Sequence, residues 1–381
     1  PHILANHSIA ILGGCNNHIS TGSIKTGNNN HFACYWKSGG PVLIGAAACS
    51  FIDGAKLSAI LSGCGNKMIA LCAGQPGWGR GGCGFIGSGI SNCIIGNQYS
   101  AVLSGTQMRI CDSSAGGGGA YNLMGTGYQG CLKGGTSYGV NLNGYRSRIE
   151  SGSYGIIGTG YCNNIKKTRY STILNGLCNN VGNFPKDIAT NCKVGFGGNY
   201  NTILNGCGNK ISGSSQYSVI TAGQGNKICG ATFGGIIGGQ GNTITGTHNC
   251  TFIIGTGITA TAACYTFVNN LCASAAVRGV TVTQTSALKH KECIQSLQDQ
   301  LDNVKKLNPV RFRWKNDCCA DIGFIAEEVE KIYPELISYE EDGEIHGLSY
   351  AKLTTVLVKA IQKQQEEIDM LKTKVDKLSK E

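Results

Sequence analysis

Two near copies of one short segment set the architecture of most of this chain: Tyr217-Ser-Val-Ile-Thr-Ala-Gly-Gln-Gly-Asn-Lys-Ile228 and Phe233-Gly-Gly-Ile-Ile-Gly-Gly-Gln-Gly-Asn-Thr-Ile244. Each copy has a β-prone run, a Gly-x-Gly-Asn turn that requires positive φ, and a second short run. No helical period of 3.6 residues competes with this pattern. Each copy therefore predicts two short strands and two turns.

Pairs of aliphatic residues followed by a Gly/Asn turn recur throughout the region. Later copies start 17, 30, 16, 17 and 17 residues apart, with an insertion around Asn183 to Asn191. These copies are Ile156-Ile157, Ile173-Leu174, Ile203-Leu204, Val219-Ile220, Ile236-Ile237 and Ile253-Ile254, and earlier ones are Ile11-Leu12, Ile60-Leu61, Phe85-Ile86 and Val102-Leu103. A repeat of about 17 residues cannot bury a core alone, but stacked repeats can. We expect residues 1–285 to form a mainly β shaft, either a β-solenoid or an interwound trimeric β-fibre.

Charge is divided unevenly around Ser286. Only four of the 22 acidic residues precede it, whereas 17 of the 32 Lys and Arg residues do. The shaft is therefore +13 (17 − 4) and the remainder −3 (15 − 18). A cationic shaft predicts an anionic partner, such as a host-surface glycan, and lysines that only keep a β-structure soluble are the alternative. We expect no nucleic-acid partner. We also expect no membrane insertion, because the longest apolar run, Val42 to Ile52, is too short to span a membrane.

The residues of the shaft give little support for an enzyme or a metal site there. Glycoside cleavage usually needs a pair of carboxylates, and the four acids, Asp53, Asp112, Glu150 and Asp187, are far apart in sequence. The glycine runs at 79–82 and 116–119 lack a Gly-Lys-Ser/Thr ending and are interpreted as turns. Tyrosines such as Tyr99 and Tyr217 could stack on sugars but are more often structural.

Cysteine is frequent, with 20 residues in the chain. There is no C-x-x-C pair, and the His31/Cys34 and His290/Cys293 pairs have no matching second pair nearby, so we expect no metal and no cofactor. Recurrence in equivalent turns, as in Gly-Cys-Gly-Asn at 63–66 and 206–209, predicts small buried thiols in a narrow core and assembly in a reducing compartment. Disulfide cross-links are the alternative. The chain begins at Pro1 without a methionine, so we expect a fragment or a processed product.

After Ser286 the sequence predicts a compact α/β domain over residues 286–350. Apolar spacing predicts an amphipathic helix from Cys293 to Val304, and Leu307 to Lys315 alternates as a strand. The segment Asp321 to Leu336 is predicted to start extended and become a helix that ends before Pro334. Two further strands are expected on either side of the Glu-Asp-Gly turn at 341–343.

A long helix is predicted over residues 351–381. Its apolar seam has steps of 4 and 3 residues, which indicates a trimeric coiled coil in which one polar residue, Gln364, sets the register. The seam consists of Leu357, Ile361, Gln364, Ile368, Leu371, Val375 and Leu378. A lone amphipathic helix that packs on its own domain is the alternative.

Four motifs give this tail of about 96 residues a specific resemblance. They are Ser286-x-x-x-x-Lys291-Glu-x-Ile294, Pro309-Val-x-Phe-x-Trp314, Gly323-Phe-Ile-Ala-Glu-Glu-Val329 and Gly347-Leu-Ser-Tyr350. The tail resembles the C-terminal intramolecular chaperone of endosialidase-type phage tail spikes and fibres, the S74 peptidase family. The resemblance implies that the tail trimerises, assists folding of the shaft and releases itself by cutting between Thr285 and Ser286.

The residues at this junction allow that chemistry. Ser286 would be the nucleophile and Lys291 the base, and such a lysine base requires burial or a nearby cation that lowers its pKa toward neutrality. Since five residues do not share a helical face, the two side chains must meet through a turn or through trimer packing. The chain departs from the family at Ala287, where members commonly carry Asp, and at Lys289, where they carry Arg. If that Asp orients the site, cleavage here is slow or absent.

The sequence therefore predicts a viral fibre or tail-spike-like structural protein that cuts itself once. We expect it in the virion, assembled in the host cytoplasm, with a role in host attachment. The alternative is an uncleaved trimeric surface adhesin that binds anionic glycans and keeps the tail as a permanent trimerisation clamp.

Overall fold

The computed structural model describes residues 9–20, 24–26, 30–32, 42–53, 56–69, 83–96, 99–111, 121–134, 136, 138–151, 153–182, 198–271, 284–315, 319–340 and 342–379. The chain divides into two compact units, residues 1–276 and 277–381. Several sequence predictions lie outside the described residues, namely the insertion at 183–191, the glycine runs at 79–82 and 116–119, Cys34, Asp112 and Asp187. None of the described helices is long and apolar enough to cross a membrane.

The first unit is mainly β and forms a β-solenoid of about 11 turns over residues 42–268. Its described strands form two sheets of 14 strands each. The first sheet contains Ile9–Gly13, Val42–Ala48, Lys56–Cys64, Cys83–Ile86, Ser100–Val102, Leu123–Tyr128, Val140–Tyr145, Ile156–Tyr161, Thr172–Ile173, Thr202–Ile203, Val219–Ile220, Gly235–Ile236, Phe252–Ile254 and Thr266–Val268. The second contains His18–Ser20, Ile24–Thr26, Asn30–Phe32, Phe51–Asp53, Lys67–Ile69, Cys93–Ile95, Arg109–Cys111, Cys131–Lys133, Arg148–Glu150, Asn164–Lys166, Asn180–Gly182, Lys210–Ser212, Lys227–Cys229 and Thr243–Thr245.

The order of strands decides between the two predicted windings. In each sheet a strand pairs in parallel with the strand one coil later in the same chain, as Ile157 pairs with Ile173 and Ile165 with Val181. Among the described strands of these sheets, only Ile24–Thr26 runs antiparallel to its neighbour. The predicted β-solenoid is therefore confirmed, and the interwound fibre is wrong for the described residues, since their ladders close within one chain.

Two columns of aliphatic side chains form the core, one from each sheet. They arise because alternate residues of a strand point to opposite faces and equivalent positions of successive coils stack. The first column contains Ile44, Ile60, Ile86, Val102, Met124, Ile157, Ile173, Ile203, Ile220, Ile236 and Ile253. The second contains Ile52, Met68, Ile94, Ile110, Leu132, Ile149, Ile165, Val181, Ile211, Ile228 and Ile244. All are almost completely buried, so the narrow interior is filled by branched and thioether side chains.

A third buried column consists of asparagine side chains at the turns. Its members are Asn17, Asn66, Asn92, Asn163, Asn179, Asn209, Asn226 and Asn242. The Nδ2 of Asn226, for example, donates to the carbonyls of Ala222 (3.2 Å) and of Gly239 in the next coil (3.0 Å). Its Oδ1 accepts from the backbone N–H of Asn242 at 3.0 Å. The column therefore satisfies backbone groups that the turn leaves without a strand partner, and it joins neighbouring coils wherever the asparagine is present.

The glycines of this turn differ in how much space surrounds them. A Cβ on Gly223, whose φ is +100°, would lie 2.1 Å from the carbonyl oxygen of Gly239 and 2.5 Å from Asn226 Nδ2. A Cβ on Gly225, whose φ is +63°, would meet nothing within 4 Å. Of these two glycines, only Gly223 lies where two coils approach too closely to leave room for a side chain.

Gly223→Ala is expected to lower the free energy of unfolding by roughly 3 kcal/mol, because neighbouring coils must separate. Gly225→Ala is the matched control and should cost about 1 kcal/mol, the penalty of a left-handed alanine. Guanidinium chloride unfolding followed by circular dichroism measures both. Equal losses in the two variants would show that the coils do not pack as described.

The cysteines do not fill the core, and the predicted buried thiols are wrong. Every described cysteine is exposed or half-buried. Several, such as Cys162 and Cys178, occupy left-handed turn positions with φ of 54°. The solenoid cross-section is wide enough for isoleucine, so small thiols are not needed inside. Cys229 is disulfide-bonded.

Aromatic residues also stack along the outside of the solenoid. Eight rings in equivalent turn positions have successive centroids 4.6–5.2 Å apart. They are Tyr99, Tyr121, Tyr138, Tyr154, Tyr170, Tyr200, Tyr217 and Phe233. Because each inner ring packs its faces on its neighbours, this column stabilises the stacking of coils.

The second unit contains short strands and helices around a small core. It comprises a 3₁₀ turn (Leu288–His290), helix α1 (Leu301–Val304), an antiparallel strand pair (Val310–Arg313 with Ala320–Gly323), helix α2 (Ala326–Glu330), a 3₁₀ turn (Pro334–Leu336), a second antiparallel pair (Ile337–Tyr339 with Ile345–Leu348) and helix α3 (Tyr350–Leu378). The core contains Val329, Tyr333, Leu336, Leu353 and Val356. The predicted strands, short helix and long helix of the tail are confirmed.

The predicted helix from Cys293 to Val304 is wrong over most of its length. Only Leu301–Val304 is helical, and the predicted apolar residues Ile294 and Leu297 are exposed. A short helix is marginally stable unless its apolar face is covered, and the described unit does not cover these two side chains.

Candidate functional site

The junction residues Ser286 and Lys291 are positioned by a tight turn. Ala287 is extended, with φ −67° and ψ 144°, and Leu288–His290 then forms one 3₁₀ turn. The N–H of His290 donates to the carbonyl of Ala287 and that of Lys291 to the carbonyl of Leu288, both at 3.0 Å. Lys291 is extended again, with φ −130°. The turn reverses the chain and returns the lysine toward the serine.

The side chains of Ser286 and Lys291 are in direct contact. Lys291 Nζ donates to Ser286 Oγ at 2.7 Å. This lies within the hydrogen-bond reach expected between a nucleophile and its base. The turn joins the two side chains within one chain, so their contact does not require a second subunit.

The surroundings of this pair are open in the single chain. All residues from 284 to 294 are exposed, including the apolar side chains of Leu288 and Ile294. Thr285, on the other side of the predicted cleavage point, is exposed as well. Ala287 contributes a methyl group where the family resemblance leads one to expect a carboxylate.

The predicted seam of α3 lies on a face that the second unit leaves uncovered. Leu357, Ile361, Gln364, Ile368, Leu371, Val375 and Leu378 are all exposed. The helix packs on its own domain through a different set of residues, Leu353, Val356 and Ala360. Thus α3 has one apolar face inside its domain, as in the alternative prediction, and a second that is free in the single chain.

The described part of the shaft offers little for acid–base catalysis. Glu150, the acid whose side chain is described there, forms an ion pair with Lys166 at 3.1 Å. Among the described residues, no group of three or more His, Cys, Asp and Glu side chains could hold a metal ion.

A second site was missed in the sequence. A cavity of about 620 Å³ on the solenoid is lined by Ser91, Cys93, Gln107, Arg109, Gln129, Gly130, Cys131, Arg146 and Arg148. Its residues are far apart in the chain and gather only when successive coils stack. The one signal for it is an interruption of the repeat, since Met108, Gly130 and Ser147 replace the buried asparagine in three successive coils.

Comparison with known families locates the junction pair within a domain. Residues 286–338 match the family model Peptidase S74, described as "Chaperone of endosialidase". The match begins at Ser286 and covers Lys291, the first strand pair, helix α2 and the start of the second strand pair. No curated protein matches the chain. Residues 286–338 thus match the S74 family of endosialidase chaperones, and this matching segment follows an N-terminal β-solenoid shaft.

Proposed function

We propose that this chain is a viral fibre or tail-spike-like structural protein whose C-terminal domain trimerises, assists folding of the solenoid and then releases itself by cutting between Thr285 and Ser286. The observation that carries the proposal is the 2.7 Å contact between Lys291 Nζ and Ser286 Oγ at the first residue of the family match. The mature protein would then be the shaft, a virion appendage assembled in the host cytoplasm and used in host attachment.

In the proposed reaction, the serine hydroxyl and the carbonyl that it attacks belong to adjacent residues of the chain. Neutral Lys291 Nζ accepts the hydroxyl proton while Ser286 Oγ attacks the carbonyl carbon of Thr285. The C–N bond breaks, the Ser286 nitrogen takes the proton from Lys291 and becomes a free amine, and Thr285 remains as an ester on Oγ. One water hydrolyses this ester, which frees the Thr285 carboxylate and the Ser286 hydroxyl. Because attack is intramolecular and occurs once, modest activation is sufficient.

Trimerisation gives a reason why cleavage would occur after assembly. Burial favours the neutral form of an amine, which is the form that acts as a base. In the single chain the junction is exposed and is bordered by Leu288 and Ile294. Covering these apolar side chains with other copies of the chain would bury the junction, so cleavage would follow assembly and not precede it.

Two exposed apolar surfaces support self-association. One is the seam of α3. The other is a column on the first sheet in which each residue directly follows an inward-facing one in sequence: Leu61, Leu103, Leu142, Leu174, Leu204, Ile237 and Ile254. Gly87, Gly125, Gly158 and Thr221 occupy the same position in the coils between them. Exposed apolar side chains that recur along one face are typical of an interaction surface.

The proposal is tested by the intact mass of the freshly expressed chain. Two fragments that meet at Thr285/Ser286 are the expected result. A chain that stays whole after the trimer has formed would overturn the self-cleavage part.

The seam of α3 gives a separate test of trimerisation. Ile361→Asp and Leu371→Asp are each expected to convert the trimer to monomer, because a carboxylate at a buried seam position is left without a partner. Gln362→Asp is the matched control, since Gln362 is exposed on the same helix but lies off the seam. Sedimentation velocity reports the mass of each species. A trimer that survives both seam substitutions would contradict the coiled coil.

The uncleaved adhesin is the second candidate function, and Ala287 is the observation that favours it. Without a carboxylate beside the serine, the domain could remain attached as a clamp. A whole but trimeric chain that binds acidic glycans would establish this function.

A further inference from the structure

We propose that the cavity lined by Arg109, Arg146 and Arg148 is a binding site for an acidic saccharide, one that carries carboxylate or sulfate groups. The site lies on the shaft, so it goes beyond the assembly function and does not depend on cleavage. The volume of about 620 Å³ falls in the range of small-ligand pockets, roughly 300–1,000 Å³.

The cavity coincides with the interruption of the asparagine column. Met108, Gly130 and Ser147 occupy the position of the buried asparagine in three successive coils. Asn92 occupies that position in the coil before them, and Asn163 occupies it in the coil after them. Asn141 occupies an inward position of the first sheet between Met124 and Ile157. The buried atoms Asn141 Oδ1 and Ser147 Oγ have no hydrogen-bond partner. The sequence of these coils therefore differs from that of the coils that keep the buried asparagine.

The residue type at the left-handed turn position also changes at the cavity. Coils that keep the buried asparagine place a glycine there, as at Gly208 and Gly225, or a small side chain, as at Cys162 and Cys178, whereas these three coils place long polar residues there. Gln107, Gln129 and Arg146 have φ of 56°, 54° and 55°. Each costs about 1 kcal/mol relative to glycine. The strain positions three long polar side chains side by side.

Hydrogen bonds hold these three side chains in one row. Gln129 Nε2 donates to Gln107 Oε1 at 2.8 Å, and Arg146 Nε donates to Gln129 Oε1 at 2.9 Å. The Cζ atom of Arg146 also lies 5.3 Å from the centroid of the Tyr145 ring. A guanidinium anchored through Nε presents its two terminal nitrogens in the planar arrangement that binds a carboxylate or sulfate through two hydrogen bonds.

Arg109 and Arg148 complete the cationic wall. They lie in register on the second sheet, on either side of Cys131 and about 10 Å apart along the stack. The thiols that line the cavity, Cys93 and the intervening Cys131, are small, and burial raises the pKa of each, which favours the neutral form. Glu150, two residues after Arg148 on the same strand, forms an ion pair with Lys166. The positive charge of the cavity is therefore not neutralised by its own side chains.

The polar groups favour a saccharide over a nucleic acid. Ser91, Gln107 and Gln129 provide hydroxyl and amide groups that match sugar hydroxyls. Binding of single-stranded nucleic acid relies on aromatic faces that stack on bases. The nearby rings of Tyr128, Tyr145 and Tyr161 stack on one another, with centroids 4.8–5.0 Å apart, so Tyr145 has both faces occupied.

The test is calorimetric titration of the full chain with four probes: a heparin-derived hexasaccharide, an oligogalacturonate, a neutral dextran oligosaccharide and an oligouridylate. We expect binding of at least one acidic saccharide and none of dextran. Binding of oligouridylate tighter than either acidic saccharide would overturn the proposal, and so would failure of both acidic saccharides to bind.

Matched variants locate the site. Arg148→Gln is expected to weaken acidic-saccharide binding at least about tenfold, because one of the three guanidinium groups of the cavity is lost. Lys227→Gln removes the same charge from the equivalent outward position of a regular coil and should change affinity less than about twofold. Equal losses would indicate diffuse electrostatic attraction and overturn the proposal. Arg146→Lys keeps the charge but loses the planar donor pair that Arg146 presents, and it should also weaken binding; unchanged affinity in this variant would contradict the two-bond contact.

Discussion

Ser286→Ala is expected to leave the chain whole, with cleavage between Thr285 and Ser286 slowed by at least about 10³-fold. The hydroxyl is the only group of this residue that can attack the preceding carbonyl, and alanine removes it without changing the extended backbone. Intact mass spectrometry of trimer incubated over time measures the loss. Ser296→Ala is the matched control, since Ser296 is exposed ten residues further along the same unit and should not affect cutting.

Substitutions of Lys291 separate a base from a group that only orients the serine. Lys291→Arg keeps a cation that can donate to Ser286 Oγ, but a guanidinium does not lose its proton near neutral pH. We therefore expect Lys291→Arg to be as inactive as Lys291→Ala. Lys289→Ala, in the same 3₁₀ turn, should be cut at the wild-type rate. Normal cutting of Lys291→Arg would show that position 291 does not act as the base.

Ala287→Asp examines the departure from the family pattern. If the family carboxylate orients the site, this variant is cut faster than the wild-type chain. An identical rate would show that the 3₁₀ turn alone is enough to align Ser286 and Lys291.

Asn226→Asp is expected to destabilise the solenoid by roughly 3–5 kcal/mol at neutral pH. The substitution replaces two donated hydrogen bonds by a carboxylate that faces the carbonyl oxygens of Ala222 and Gly239, which lie 3.2 and 3.0 Å from the original nitrogen. The site is fully buried, so the new charge has no access to water. Chemical unfolding followed by circular dichroism measures the loss.

The exposed Asn205 provides the control for this change. Its Oδ1 accepts from the N–H of Gly206 at 2.7 Å, and an aspartate can keep that bond. Asn205→Asp should therefore change stability little. Burial raises the pKa of the carboxyl introduced at position 226, so its penalty should shrink as pH falls through that raised pKa and be smallest below about pH 4, where folded and unfolded states are both protonated. A penalty equal to that of Asn205→Asp would refute the buried amide column.

Local pattern was sufficient to predict the repeat but not which residues face inward. Ile173 is buried and its neighbour Leu174 is 48% exposed, whereas Ile156 is 38% exposed and Ile157 is buried. The two pairs look alike in sequence. A shift of one residue reverses the face of every side chain in a strand, and the shift is set by turns and by the neighbouring coil. Because register depends on the turns and on the neighbouring coil, local pattern also did not show that the cysteines lie on the outside of the solenoid.

In the tail, too, some features could be predicted from the sequence and others depend on tertiary contacts. The heptad seam of α3 is visible in sequence, but its use of Leu353, Val356 and Ala360 to pack on its own domain is a tertiary contact. The predicted helix before Leu301 failed because apolar periodicity does not reveal whether a partner surface exists. For Ser286 and Lys291, the residue types and their spacing could be recognised in the sequence. A turn was one of the two arrangements predicted to bring them together, and the structure has a 3₁₀ turn there.

By itself, the sequence determined that this chain stacks short β-repeats ahead of a segment that resembles the chaperone of endosialidase, because strand alternation, glycine turns and motif spacing are local properties. Only the tertiary structure decided that the coils wind within one chain, that asparagine amides hold them together, and that Arg109, Arg146 and Arg148 gather at one cavity. The physical reason is that coil length and register determine which distant residues become neighbours, and both depend on packing against the next coil.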